Sequence, residues 1–103
     1  MNTTRIQMLE KFMQNEPGDP FPVYALALEY QRLDKPKARQ LFELVLAKHP
    51  DYLPAYYMAG NFFLGQNEVD RAIEVLQRGL TLAKAQNNQA TVREIQAVLD
   101  NID

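Results

Sequence analysis

An all-α fold built from six helices, paired as antiparallel hairpins in a stack, is predicted by three features of this sequence. Apolar residues recur at helical spacing along the chain, with no sustained strand-like alternation. The apolar pattern returns at 33 or 34 residues, the signature of a helical-hairpin array. Small residues, Gly60 and Gly79 among them, lie inside helical stretches beside large apolar ones. A helix-interior glycine costs about 1 kcal/mol against alanine, so its presence points to close packing between helices.

The elements follow in chain order. The first helix is expected over 4–15, opened by a Thr4-x-x-Gln7 capping-box spacing. Its Arg5, Met8, Leu9, Phe12, Met13 and Pro17 align with Ala38, Leu41, Phe42, Val45, Leu46 and Pro50 at an offset of 33. It therefore matches the second helix of a hairpin, with Arg5 in the small-residue position. A helix over 21–33 carries the stripe Val23, Leu26, Ala27, Tyr30 and Leu33. Pro36 suits the first turn of the next helix, 36–48, where a missing N–H costs nothing, and Pro50 follows its end. The fourth helix, 53–65, repeats the second through Tyr56, Ala59, Gly60 and Phe63. The fifth, 68–85, repeats the third through Ala72, Val75, Leu76, Gly79 and Leu80. The last, 89–101, has Val92, Ile95, Val98 or Leu99, and Ile102 on one face and polar residues opposite. Such a helix hides the final apolar surface of a solenoid.

Ala38 to Ala72 and Phe42 to Leu76 are both 34 residues apart, while Val23 to Tyr56, Ala27 to Gly60 and Tyr30 to Phe63 are 33 apart. These residues resemble the tetratricopeptide repeat, whose pattern is a large residue, a Leu–Gly-like pair, an aromatic, alanine, a large apolar residue and proline. Repeat one, 20–52, supplies Val23, Leu26, Ala27, Tyr30, Ala38, Phe42 and Pro50. Repeat two, 53–86, supplies Tyr56, Ala59, Gly60, Phe63, Ala72 and Leu76, with Lys84 in place of the proline. Half-repeats at 4–17 and 88–102 flank them, so one domain is expected over 1–103. The resemblance implies a right-handed hairpin stack whose first helices line a concave face.

Composition bounds the function. With 47% hydrophobic and 23% charged residues and a net charge of −2, the chain has no basic field to draw nucleic acid or anionic lipid. It has no cysteine, hence no disulfide frame or cysteine metal site. No run approaches the ~20 apolar residues of a membrane span, and the N-terminus lacks a signal-peptide apolar core. The expected compartment is the cytoplasm.

Catalytic chemistry finds no foothold. His49 is the single histidine, and before Pro50 it fits a helix C-terminus. Glu10, Glu43, Asp70, Glu74 and Glu94 scatter over solvent faces with no nucleophile or phosphate-binding loop beside them. No enzyme activity, metal or cofactor is expected. Glu29 corresponds to Phe62 of repeat two, so partial burial is expected, with Arg5 across the first helix junction and Arg32 one turn away as its two candidate partners. Arg32, Lys35, Lys37 and Arg39 read as a solvated turn or as a contact patch for an acidic segment; the cluster lacks the interleaved aromatics of single-strand binders.

The expected function is a protein–protein interaction module taking a peptide or helix in a concave groove. Tyr24, Leu28 and Gln31 fall off the core stripe at i, i+4 and i+7, and Tyr57, Asn61 and Leu64 do the same. Arg32 would lie at the rim. Tyrosine offers broad apolar contact with a polar tip, and asparagine can pair with a peptide backbone. The same tyrosines could instead complete packing between neighbouring helices. Some relatives grip a C-terminal carboxylate with lysine and asparagine; Tyr24 and Leu28 stand where repeat one would need them, so that clamp is not expected. The alternative function is self-association as a homodimer, because two repeats fall below the three usual for independent stability.

Overall fold

In the computed structural model, which describes residues 3–102, the described residues form six α-helices and no strand. They are α1 (Thr3–Asn15), α2 (Pro20–Tyr30), α3 (Lys35–Lys48), α4 (Pro54–Gly65), α5 (Val69–Ala85) and α6 (Gln89–Asp100). Two compact units divide the chain at the border between the two repeats, Met1–Tyr52 and Leu53–Asp103.

Local chemistry explains most of the helix ends. Asp19, Asp34 and Asn88 each cap a helix start: their side-chain oxygens accept from the backbone N–H of Phe21, Lys37 and Thr91 at 3.0, 3.1 and 3.0 Å. Such a cap satisfies one of the N–H groups that a first turn leaves without an intrahelical partner. Prolines occupy the first turns of α2, α3 and α4, where no hydrogen bond is lost. α4 and α5 stop in the same way. Glu68 N–H donates to Phe63 O at 2.9 Å and Asn67 N–H to Leu64 O at 3.0 Å; Asn88 N–H donates to Ala83 O at 2.9 Å and Asn87 N–H to Lys84 O at 3.1 Å. Asn67 and Asn87 sit at φ of 61° and 57°, the left-handed conformation that this paired carbonyl capping requires and that asparagine tolerates best after glycine. Without the repeat's proline, α5 runs for 17 residues against 14 in α3.

In the first unit α3 packs on α2 most extensively, and α1 packs on α2 less so. Val23, Leu26, Ala27, Ala38, Phe42 and Val45 form its core, with Ala27, Ala38, Phe42 and Val45 fully enclosed. In the second unit the α4–α5 hairpin is likewise the larger contact and α5–α6 the smaller. There Phe63, Ala72, Val75, Leu76 and Ile95 have no exposed surface. The glycines explain how these helices approach. A Cβ built on Gly60 would lie 2.5 Å from Leu76 Cγ, and one on Gly79 would lie 2.5 Å from Tyr56 Cβ and 3.1 Å from Ile95 Cδ1. Both positions are filled by side chains of neighbouring helices, α5 at Gly60 and both α4 and α6 at Gly79, as their small size predicts.

Three expectations are corrected. Leu33 does not continue the α2 stripe: α2 ends at Tyr30, and Leu33 is exposed in a turn closed by bonds from the Leu33 and Asp34 N–H groups to Tyr30 O. Asp34 is committed to capping α3, so α2 cannot run through it. Thr4 is not the cap of α1, because the helix already includes Thr3. Met8 and Phe12 align with core residues yet are 51% and 50% exposed, while α1 buries Ile6 and Leu9 instead. α1 meets α2 through its Ile6–Leu9 side, and the Met8–Phe12 side faces no described helix closely enough to be covered.

The packing generates a direct test. Gly60→Leu should cost about 1–3 kcal/mol through overpacking. Gly79→Ala should lower the melting temperature even though alanine gains ~1 kcal/mol in helix propensity. Gly65→Ala should raise it, because a Cβ there meets nothing within 4 Å. Thermal melts of the three variants check this, and a rise for Gly60→Leu would refute the packing role.

Candidate functional site

The residues expected to make contacts with a partner lie on α2, just past its end, and on α4. On α2, the buried side is Val23, Leu26 and Ala27. Tyr24 and Leu28 stand beside it, half-buried, and Gln31 follows just past the helix end. Gln31 Nε2 reaches back to Leu28 O at 3.5 Å, and Arg32 is exposed beyond it. On α4, Tyr56, Ala59, Gly60 and Phe63 are buried, and Tyr57, Asn61 and Leu64 are half-buried beside them. Asn61 Nδ2 donates to Tyr57 O at 3.0 Å, which orients the amide along the helix surface and leaves its oxygen as an acceptor.

The two tyrosines differ in their surroundings. Tyr24 meets Tyr52 edge to face, with ring centroids 5.4 Å apart and planes at 70°. That geometry sets a positive ring edge against a negative ring face. Tyr52 lies in the chain segment that leaves α3, and it is the residue that the repeat pattern did not single out. Its only sequence signal is being aromatic two residues after Pro50. Burial raises the Tyr24 hydroxyl above its ordinary value, and Tyr52 raises it further. Tyr52 is raised as well, by burial first and by the charge of Asp19 second.

The charged residues near α2 serve the fold. Arg5 Nε pairs with Glu29 Oε1 at 2.5 Å across the α1–α2 junction, one of the two partnerships expected from sequence, with side chains 48% and 27% exposed. An ion pair this open to solvent contributes roughly 0.2–1 kcal/mol. Lys35 Nζ donates to Gln31 O at 3.2 Å and satisfies a carbonyl at the end of α2. Within the second unit, Arg71 pairs with Glu74 one turn on and lies 5.5 Å from the Phe63 ring centre, while Arg78 lies 5.6 Å from that of Tyr56. These cations cover aromatic faces of the α4–α5 hairpin. His49 forms the C-cap of α3, its N–H donating to Val45 O. Among the described residues no three His, Asp or Glu side chains converge as a metal site would need, and no helix is long and apolar enough to cross a membrane.

Comparison with known proteins agrees with the internal repeat. The tetratricopeptide-repeat family profile matches residues 34–99. A crystal structure of a tetratricopeptide repeat domain protein from Salinibacter ruber is 33% identical, with a TM-score of 0.71 over 78% of this chain and 90% of that one. A solution NMR structure of a tetratricopeptide repeat domain protein from the same organism is 34% identical, with a TM-score of 0.74 over 80% and 84%. Among curated proteins, none matches the chain.

The tyrosine pair predicts an alkaline sensitivity. Folding raises both hydroxyl pKa values above their unfolded value of about 10, so the folded state holds these protons more tightly. Their contribution is complete below pH ~10 and is lost as pH rises through the higher folded values. Chemical denaturation at pH 8 and pH 11 should show a loss of stability that shrinks in Tyr24→Phe and Tyr52→Phe. An equal loss in both variants would mean that other groups control it.

Proposed function

The chain belongs to the tetratricopeptide-repeat family, and we propose that it binds a peptide or helix of another protein through the off-core faces of the helices that open its repeats, α2 and α4. Repeats of this family are generally protein-interaction modules, and its members are generally non-catalytic scaffolds. One observation supports the finer reading: in each unit separately, the helix that opens the repeat keeps a tyrosine and a leucine half-buried beside its core stripe, with a half-buried amide on the helix (Asn61) or just past its end (Gln31). Partly exposed tyrosines carry large contact area at low conformational cost, as binding anchors do.

The two faces have distinct parts in this function. Tyr57 has no aromatic partner among the described contacts, so its ring is the primary anchor. Asn61, oriented by Tyr57 O, offers its carbonyl oxygen to a backbone N–H of the bound segment. Tyr24, braced by Tyr52, is the stiffer of the two rings and supplies a fixed apolar edge. Arg32 favours acidic side chains at the rim through charge, which acts on association rate and selectivity more than on affinity.

A displayed random-peptide library, selected on the wild-type protein, supplies a ligand for the test. Tyr57→Ala should weaken selected peptides by at least ~1–2 kcal/mol, about 5- to 30-fold, by titration calorimetry. Its thermal melt should stay within a few degrees of wild type. Unchanged affinity in a folded Tyr57→Ala/Asn61→Ala variant would place binding on another surface.

A further inference from the structure

We propose that the outward face of α1 pairs two copies of this chain, α1 lying antiparallel to the α1 of the second copy about a two-fold axis. Met8 and Phe12 are the two most exposed large hydrophobic side chains among the described residues. They stand one turn apart and, with Thr4, Arg5 and Leu9, line an open depression of about 300 Å³. The other exposed large hydrophobics, Phe21, Leu33 and Val69, are separate and lie at helix starts or in a turn. Among the described residues, only α1 gathers such side chains on one face.

The repeat itself states what kind of object covers that face. Met8 and Phe12 correspond at an offset of 33 to Leu41 and Val45, which are 4% and 0% exposed in the α2–α3 hairpin. An antiparallel helix of a second copy would give Met8 and Phe12 cover of the kind that α2 gives α3 as a whole. α6 does not meet the need: at an offset of 34, the hairpin positions Tyr56, Ala59, Gly60 and Phe63 correspond to Ala90, Arg93, Glu94 and Ala97. Those four are exposed and lack any large apolar side chain. A head-to-tail contact would thus set an apolar face on a charged one.

α1 complements itself. Arg5, Met8, Leu9 and Phe12 recur at i, i+3, i+4 and i+7 along one side of α1, and Glu16 follows just past the helix end, held there by its N–H bond to Phe12 O at 2.8 Å. Antiparallel pairing centred between Leu9 and Phe12 sets the exposed Met8 of each copy against the exposed Phe12 of the other, while Leu9 stays buried beneath them. Arg5 of each copy then lies near Glu16 of its mate, at both ends of the apolar patch. Arg5 keeps its bond to Glu29 while its half-exposed charge faces the opposing carboxylate. Opposed helix dipoles add to the match, and an isologous contact of this kind closes at two copies. Two 13-residue helices bury a small area, so the dimer is weak, with half-association in the range of about 10–500 µM.

Sedimentation velocity from about 1 µM to about 1 mM tests this on the full chain. The wild type should pass from monomer to dimer, and Phe12→Glu should remain monomeric throughout with an unchanged circular dichroism spectrum and melt, since α1 is held by Ile6 and Leu9. Glu16→Lys, at an exposed position, should weaken association on the order of tenfold, more so at low salt. The chain has no cysteine, so mixing Met8→Cys with Phe12→Cys should give the mixed disulfide in preference to either symmetric one. A wild type that stays monomeric, leaving the face to a different protein, overturns the proposal. So does a Phe12→Glu variant that dimerises like wild type, or a preference for the symmetric 8–8 disulfide.

Discussion

Close approach between neighbouring helices, enforced where a side chain of one fills the space above a glycine of the next, is the constraint on which this structure depends. Leu76 occupies the position of a missing Gly60 side chain, and Tyr56 and Ile95 crowd Gly79 from two different helices. Gly79 therefore ties α4, α5 and α6 into one packed unit. Each glycine costs about 1 kcal/mol of helix propensity. Burial of Leu76 and Ile95, neither with any exposed surface, returns roughly 1.5–3 kcal/mol per side chain. The first unit reaches the same end with alanine: Ala27 and Ala38 are fully enclosed beside Phe42 and Val45.

This packing leaves the sides of the helices free for other work. Because α4 is gripped by α5 along Tyr56, Gly60 and Phe63, the neighbouring Tyr57, Asn61 and Leu64 stand on a backbone whose orientation is already set. A partner that meets them has little ordering cost to overcome, which is the advantage of a preorganised surface. The asparagine caps serve the same purpose at the helix ends. Asn67 and Asn87 stop α4 and α5 at defined residues, so the turns that follow are short and hydrogen-bonded. The two faces differ in character: Tyr24 meets Tyr52 edge to face, whereas Tyr57 has no aromatic neighbour among the described contacts.

α1 shows what happens when one interface of a hairpin helix is satisfied and the other is not. Its junction with α2 is secured by Ile6, Leu9 and the Arg5–Glu29 pair, and its hairpin side retains Met8 and Phe12 in solvent. α6 at the other end of the sequence carries charged and small residues in the corresponding places. The chain thus treats its two terminal helices differently: one is polar outward and the other is apolar outward. An apolar side with a charge at each end and no cover from the described helices is a surface suited to association.

Much of this was legible in the sequence, because helical periodicity and a 33- or 34-residue repeat depend only on which residues recur and how far apart. Those quantities were enough for six helices, two repeats and the packing role of Gly60 and Gly79, and they left Arg5 and Arg32 as the two candidates for Glu29, between which the structure decided for Arg5. Prolines and capping aspartates act within a few residues of themselves, so most helix starts could be read locally too. What the repeat alignment could not say was which of its positions would be covered. Met8 and Phe12 carry core identities, yet burial depends on whether a facing helix is present, and that is a tertiary fact. Leu33 matched the α2 stripe, but the cap that Asp34 supplies to α3 overrode the apolar match. Tyr52 became the partner of Tyr24 because the chain leaving α3 folds back toward α2, a contact that spacing within one helix cannot contain. The off-core faces of α2 and α4 were predictable as faces. How much of each side chain stays open to a partner was decided by the neighbours that tertiary packing brings against it.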